Sequence, residues 1–248
     1  MTRAGHMRKT LIERVMTRLL EEYAISNAAG LGAFVRRESE FTTAYVYDTN
    51  LLIDYLLYGD EFIDSPHGFE GRELSYRSET RKVAKERILK GFIEIKTPGE
   101  DTGPCYDAAV VSLAAGPGFG KEIYGLGYAM SPNGLLAPDR TTVSGEATAS
   151  WRNVAEKGRK RHKFDDWKLK VTPPTDDDCK VHNDPEKEHL NYAYEAEGWE
   201  KGLLRYLEAQ HDATMEELSD IPNARREVEG LIASVAIGEF WQKHYWKR

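Results

Sequence analysis

The spacing of apolar residues changes several times along this chain, and each change marks an element. In residues 8–24, Leu11, Ile12, Val15, Leu19 and Leu20 share one face with charges opposite, which predicts a helix. Residues 27–37 carry Gly30 and Gly32 and read as a loop. Thr42–Tyr58 first alternates as a strand does, then turns helical from Asp48 or Thr49. Residues 59–77 read as an irregular connection, and Ser78 is placed to cap a helix running to Leu89, ahead of Gly91. Phe92–Lys96 alternates and Cys105–Ala115 is a more apolar run; the TPGEDTGP turn between them predicts an antiparallel hairpin.

Farther on, Asn133-Gly134 turns the chain, Leu135–Ala137 reads as a short strand, and Ser144 is a suitable N-cap for a helix to Glu156. Residues 157–187 join a basic run, KGRKRHK, to an acidic, Pro-rich stretch, and read as a surface excursion. Leu190–Gln210 reads as one helical unit, with a break at Gly198 or Gly202. Asn223–Tyr245 reads as another, with Val228, Leu231, Ile232, Val235, Phe240 and Trp241 as its apolar stripe. No internal repeat is visible. The pattern predicts an α+β fold in three stretches. Residues 1–90 form a helical and irregular part packing on the core, 91–187 the core, and 188–248 a helical C-terminal extension.

Composition narrows the function classes. At 248 residues the chain is long enough for a real core, and 30 % charged with 40 % hydrophobic residues is ordinary for a folded protein. A formal net charge of −7 argues against a general nucleic-acid coat, although a local basic face is compatible with it. Two cysteines, Cys105 and Cys179, suggest neither a disulfide framework nor a zinc site, so a reducing, cytoplasmic compartment is expected. No run of about 18 apolar residues predicts a membrane span, and the first residues lack the apolar core of a signal peptide.

The most informative stretch is DAAVVSLAAGPGFGKEIYGLGYAM, in which an apolar strand stops at a glycine-rich turn and a helix starts at once. Free N–H groups at a helix start, with the positive end of the dipole, bind phosphate, and glycines allow close approach. The plainer reading is a tight turn. A Walker loop is excluded, because Ala115 stands at its first Gly position and Glu122 follows Lys121. Rossmann spacing fails at Lys121 and Ile123.

The stretch Ala115-Gly116-Pro117-Gly118-Phe119-Gly120 resembles the [QR]-x-x-G-x-[GA] loop of the GNAT superfamily of N-acetyltransferases. GLLAPDRTTVSGEATASW, with IEIK upstream, is similar to a group of phage-encoded GNAT-like proteins, and the resemblance covers about residues 90–195. It implies a GNAT-like mixed central sheet flanked by helices and an acetyl-CoA site. The site would comprise Val111, Leu113, Ala115, Gly116, Gly118, Phe119, Gly120 and Lys121, and the setting would be a host cytoplasm or a virion. Two positions depart from the pattern. Ala115 replaces the usual Arg or Gln, and Trp151, which cannot exchange a proton at neutral pH, replaces the frequent Tyr. Pro117 also removes one amide donor.

Acyl transfer to an amine needs a base for the amine and an acid for the leaving thiolate. Glu94, on the neighbouring strand, is the candidate base, against the plainer reading of a solvent-facing residue. Tyr124, one turn into the loop helix, is the candidate acid, against a packed aromatic. Asp139-Arg140 reads as a pair that fixes the next helix or touches substrate, and Ser112 as a core hydroxyl or a cofactor contact. Cys105 reads as an inert thiol, and Cys179 with His182 lacks further metal ligands. The basic run 157–163 suits a solvated helix end, nucleic acid or the 3′-phosphate of CoA. The tail aromatics suit helix packing or a homo-oligomer interface. The leading expectation is an acyl-CoA-dependent N-acyltransferase-like protein. The alternatives are a catalytically silent GNAT-like structural or interaction protein, and a nucleic-acid-binding or nucleic-acid-modifying protein.

Overall fold

The computed structural model describes residues 18–58, 87–96, 108–115, 119–138, 143–163 and 184–245. The expected irregular segment after residue 58, most of the helix from Ser78, Cys105, Asp139-Arg140, Cys179 and the acidic run all lie outside these residues.

Helix α1 covers 18–27 and ends at Gly30, whose φ of 76° takes the left-handed conformation that stops a helix. Strands β1 (Leu31–Arg37) and β2 (Phe41–Asp48) follow, then helix α2 (Thr49–Tyr58), β3 (Leu89–Lys96), β4 (Ala109–Ala115) and helix α3 (Gly120–Met130). Next come β5 (Leu135–Pro138), helix α4 (Gly145–Glu156), β6 (Arg161–Lys163), a 3-10 turn at Pro185–Asn191 and β7 (Tyr192–Glu195). Helices α5 (Trp199–Glu217) and α6 (Ala224–Tyr245) complete the described chain. The strands form one seven-stranded sheet in the order β1-β2-β3-β4-β5-β7-β6. Only β4 and β5 pair in parallel among the described strands; the other neighbours are antiparallel.

Alternation assigns the two faces of the sheet. Ala33, Val46, Ile93, Ile95 and Val111 join one core cluster with Ile123 and Leu126 of α3, Trp151 of α4 and Leu203 and Leu207 of α5. Phe34, Tyr45, Tyr47 and Phe92 join the other, with Leu52 of α2 and Val228 and Ile232 of α6.

Several expectations change. Residues 31–37 are a strand, not a loop. Their glycine serves a close approach: a Cβ on Gly32 would lie 2.9 Å from the Tyr47 ring. The strand β3 starts at Leu89, so Gly91 lies inside it rather than beyond a helix. LNYAY is not the start of a helix, because Tyr192–Glu195 pairs with β5 on one side and β6 on the other, and the helix begins only after Gly198 at φ 94°. The basic run contains strand β6. Strands from all three expected stretches share one sheet.

Tyr47, His211 and Glu229 tie β2, α5 and α6 together. The Tyr47 hydroxyl lies 2.7 Å from His211 Nδ1, and His211 Nε2 lies 3.4 Å from Glu229 Oε1. Burial pushes the Tyr47 phenol well above its usual range, so its hydroxyl keeps its proton beside the His211 ring. Burial, then the Arg225 guanidinium, hold His211 below its ordinary 6.5, against Glu229 and Asp212.

Two predictions follow from these contacts. A Cβ on Gly127 would sit 2.7 Å from Ile93 Cδ1, whereas one on Gly145 meets nothing within 4 Å. Gly127→Ala should cost about 1–3 kcal/mol, and Gly145→Ala should be neutral or stabilising, as read by urea unfolding. The unfolded chain takes up a proton at position 211 at its ordinary 6.5 while the folded one resists. The stability from neutral His211 is thus complete above that pH and is lost as pH falls below it. In thermal melts across that window, His211→Gln should flatten the acid-side slope relative to the parent; an unchanged slope would contradict this account.

Candidate functional site

The site is built where β4 leaves β5. Three residue pairs hold these strands together: Ala109 with Leu136, Val110 with Ala137 and Val111 with Pro138. Pro138 has no N–H to donate to a further rung, and it ends the strand. On the other side of β4, Glu94 pairs with Leu113 and Ile95 with Val111, so Ser112 is the extra residue of a β-bulge. A bulge bends its strand and increases the local twist. The bulge and the last described β4–β5 pair coincide at Val111, a point termed the fork.

Helix α3 begins a few residues beyond the fork. Its N-cap, Phe119, offers no side-chain hydrogen bond, and the first turn carries one acid, Glu122. The first amides of a helix have no acceptor within it, and the Phe119 side chain supplies none here. Gly116 and Gly118 lie outside the described residues. Phe119 packs against the main core. Lys121 turns toward α1 and α5, its Nζ 5.0 Å from the Trp199 ring centre and 5.3 Å from that of Tyr23. Val111 is buried, whereas Leu113 and Ala115 are placed by register, opposite Glu94 and Phe92.

The two candidate catalytic residues are not brought together. Glu94 lies between Ile93 and Ile95, which face α3, so its side chain belongs to the opposite face. There it accepts a hydrogen bond from Thr43 Oγ1 at 3.3 Å. Tyr124 lies on the α3 side, edge-on to Trp151 with ring centres 5.3 Å apart, and Trp151 stacks on Tyr194 at 5.4 Å. Burial pushes the Tyr124 phenol up to about 12, partly offset by a hydrogen bond with Ser150. Ser144 caps α4 as expected, accepting from the Ala147 amide at 3.2 Å.

Pattern reading missed how α3 and α4 combine. Gly120, Tyr124 and Tyr128, which recur every fourth residue on α3, line a cavity of about 540 Å³ together with Ser150, Asn153 and Val154 of α4 and its C-cap Lys157. The spacing within each helix is a visible signal; the pairing between them is not. A larger open groove of about 1130 Å³ lies at Phe34, Met215, Arg225 and Ala233, among β1, α5 and α6 and away from the fork.

Part of the basic run is paired with carboxylates. Arg159 Nη1 lies 2.7 Å from Glu200 Oε1, which is fully buried, and Arg159 Nη2 lies 3.3 Å from Glu197 Oε2. Its guanidinium also sits 4.1 Å from the centre of the Tyr128 ring. Lys160 and His162 both meet Glu195, and Arg161 covers Tyr192. Glu200 also accepts from the Glu197 amide, so one carboxylate fixes both the start of α5 and the entry to β6. Among the described residues no group of acids, histidines or cysteines could hold a metal ion, and no helix is long and apolar enough to cross a membrane.

Arg159→Met strands the Glu200 carboxylate in the interior and should cost about 3–5 kcal/mol. Adding Glu200→Gln should recover part of that loss in the same denaturation experiment; equal stabilities for Arg159→Met and the parent would show that the pair is dispensable.

Comparison of the chain with family models, with curated proteins and with solved structures found no match.

Proposed function

We propose that this chain is a GNAT-like protein that binds acetyl-CoA or a related acyl-CoA and is built to transfer the acyl group to an amine. The observation that carries the reading is the fork. The described pairing of two parallel strands ends at Val111 and Pro138, at a bulge, beside a helix N-terminus that its N-cap side chain does not cap. The single parallel pair within a seven-stranded mixed sheet supports it, as do the motif resemblances in residues 90–195. In this reading, amides between Ala115 and Lys121 donate to the pyrophosphate. Backbone groups of β4 above Val111, released from β5, hold the thioester arm. Glu94, next to the bulge in register, is the group available to take the amine proton from the far face of the sheet.

A second reading, binding without efficient transfer, is favoured by one observation. Tyr124 is fully protonated at neutral pH, but its phenol near 12 holds that proton tightly. Passing it to a thiolate whose conjugate acid titrates near 8.5 is uphill by about 5 kcal/mol. Trp151, fully buried at the position of the family tyrosine, has no proton to offer.

Calorimetry with acetyl-CoA and desulfo-CoA tests both readings. Saturable binding is expected for each, and it should vanish in Gly118→Val while the circular dichroism spectrum stays that of the parent. No heat at millimolar ligand would end the acyl-CoA reading. Thiol release on adding a panel of amines then separates transfer from binding alone.

A further inference from the structure

Three glycines inside helices have a reason within the chain. Gly125 is backed by Trp199, Gly127 by Ile93 and Gly202 by Glu21, so none has room for a Cβ. Gly230 of α6 is different. A Cβ there meets nothing within 4 Å. The helix bears the entropy cost of an interior glycine, and no described contact within the chain requires it.

Gly230 lines the open groove of about 1130 Å³ among β1, α5 and α6, which also exposes parts of Phe34, Met215, Ala224 and Ala233. Seven residues farther along α6, Ile237 is 56 % exposed. Seven residues make nearly two full turns, so Ile237 stands on the same side of the helix as Gly230. One face of α6 thus carries an open notch and an uncovered apolar knob one heptad apart. A single exposed isoleucine is ordinary; its spacing from the notch is what matters here.

That spacing is self-complementary. When two identical helices pack antiparallel about a two-fold axis, each position meets the one equally far beyond the axis on the other copy. With the axis midway between Gly230 and Ile237, at Ala233-Ser234, Ile237 of each copy falls on Gly230 of the other. The charges fit the same occupant. An isologous contact sets a surface against itself, so any net charge would repel. Arg36, Arg225 and Arg226 line the groove with Asp212, Glu216 and Glu229, which balances the two signs. Such a lining suits a second copy better than a strongly acidic or strongly basic partner.

We propose that the α6 face bearing Gly230 and Ile237 is the contact between two copies of this chain, packed antiparallel about a two-fold axis at Ala233-Ser234, with each α6 laid along the groove of the other copy. The contact is independent of the acyl-CoA reading, because the groove lies away from the fork.

Sedimentation equilibrium of the full chain, from micromolar to submillimolar concentration, tests this and should show a monomer–dimer equilibrium. Ile237→Glu puts a charge on the knob, and Gly230→Leu fills the notch. Each should weaken dimerisation by about thirtyfold, while the dilute protein keeps the circular dichroism spectrum of the parent. Ser234→Cys stands beside the axis, so mild oxidation should give a covalent dimer that the parent does not form. A parent that stays monomeric throughout overturns the proposal and gives the groove to a different occupant. A dimer that survives either Ile237→Glu or Gly230→Leu unchanged overturns it too, and failure of Ser234→Cys to cross-link overturns the antiparallel arrangement. Acetyl-CoA binding by calorimetry should be the same in Ile237→Glu as in the parent, so failure of the acyl-CoA reading and failure of this one are read separately.

Discussion

Two adjacent parallel strands cannot be joined by a tight turn; the chain must cross over one face of the sheet before it can pair again. Here that crossover is α3, between β4 and β5. The constraint puts the start of α3 at the upper end of β4, where the pairing with β5 has already lapsed. Close packing then fixes the helix against the sheet. Gly127 sits where a side chain would strike Ile93 and Leu136, and Gly125 where one would strike Trp199. A helix that lay farther from the sheet would tilt its N-terminal amides away from the fork. Gly125 and Gly127 are therefore part of what fixes the position of α3.

The second anchor is polar. Glu200 is fully buried, and such a carboxylate is tolerated only when paired and hydrogen-bonded. Arg159 pairs with it, the Glu197 amide donates to it, and the Tyr128 ring backs the guanidinium. These contacts join the segment after α4, the end of β7 and the start of α5, which sets the lower boundary of the α3–α4 cavity. A hydrophobic core alone would leave helices α3 and α4 free to slide. A buried ion pair of defined geometry does not, and it costs desolvation to keep. Within the basic run that reads as a solvent-facing patch, Arg159 is internal bracing, whereas Lys157, Lys160 and Arg161 are exposed.

Local signals in the sequence survived folding where one residue decides the geometry. Ser144 caps α4, and the passage from β2 to α2 falls at Asp48–Thr49, both at their expected positions. Signals failed where partners far along the chain decide. Residues 31–37 look like a loop because of two glycines, yet pairing with β2 makes them a strand. Tyr192–Glu195 has no strong local preference that separates it from the helix behind it; β5 and β6, from elsewhere in the chain, make it a strand. The site was legible to the same degree. The strand–loop–helix unit was visible, and so was the departure at Trp151. The bulge at Ser112, the opposite faces of Glu94 and Tyr124, and the cavity shared by two helices are relations between elements, which no single stretch encodes.

That separation bears directly on chemistry. The base candidate and the acid candidate need not touch, since the amine and the thiolate are different atoms. A fork in the sheet is the one place where groups from both faces can reach a common substrate. Glu94 stands beside the bulge on one face, and Tyr124 stands behind Trp151 on the other. The tyrosine hydroxyl, however, is turned to Ser150, and its environment opposes the charge it would carry after giving up a proton. In the proposed acyl-CoA reading, binding would use only the fork and the amides, whereas transfer would also need the hydroxyl to leave Ser150. Under the proposed acyl-CoA reading, the difference between capture and turnover rests on this hydroxyl.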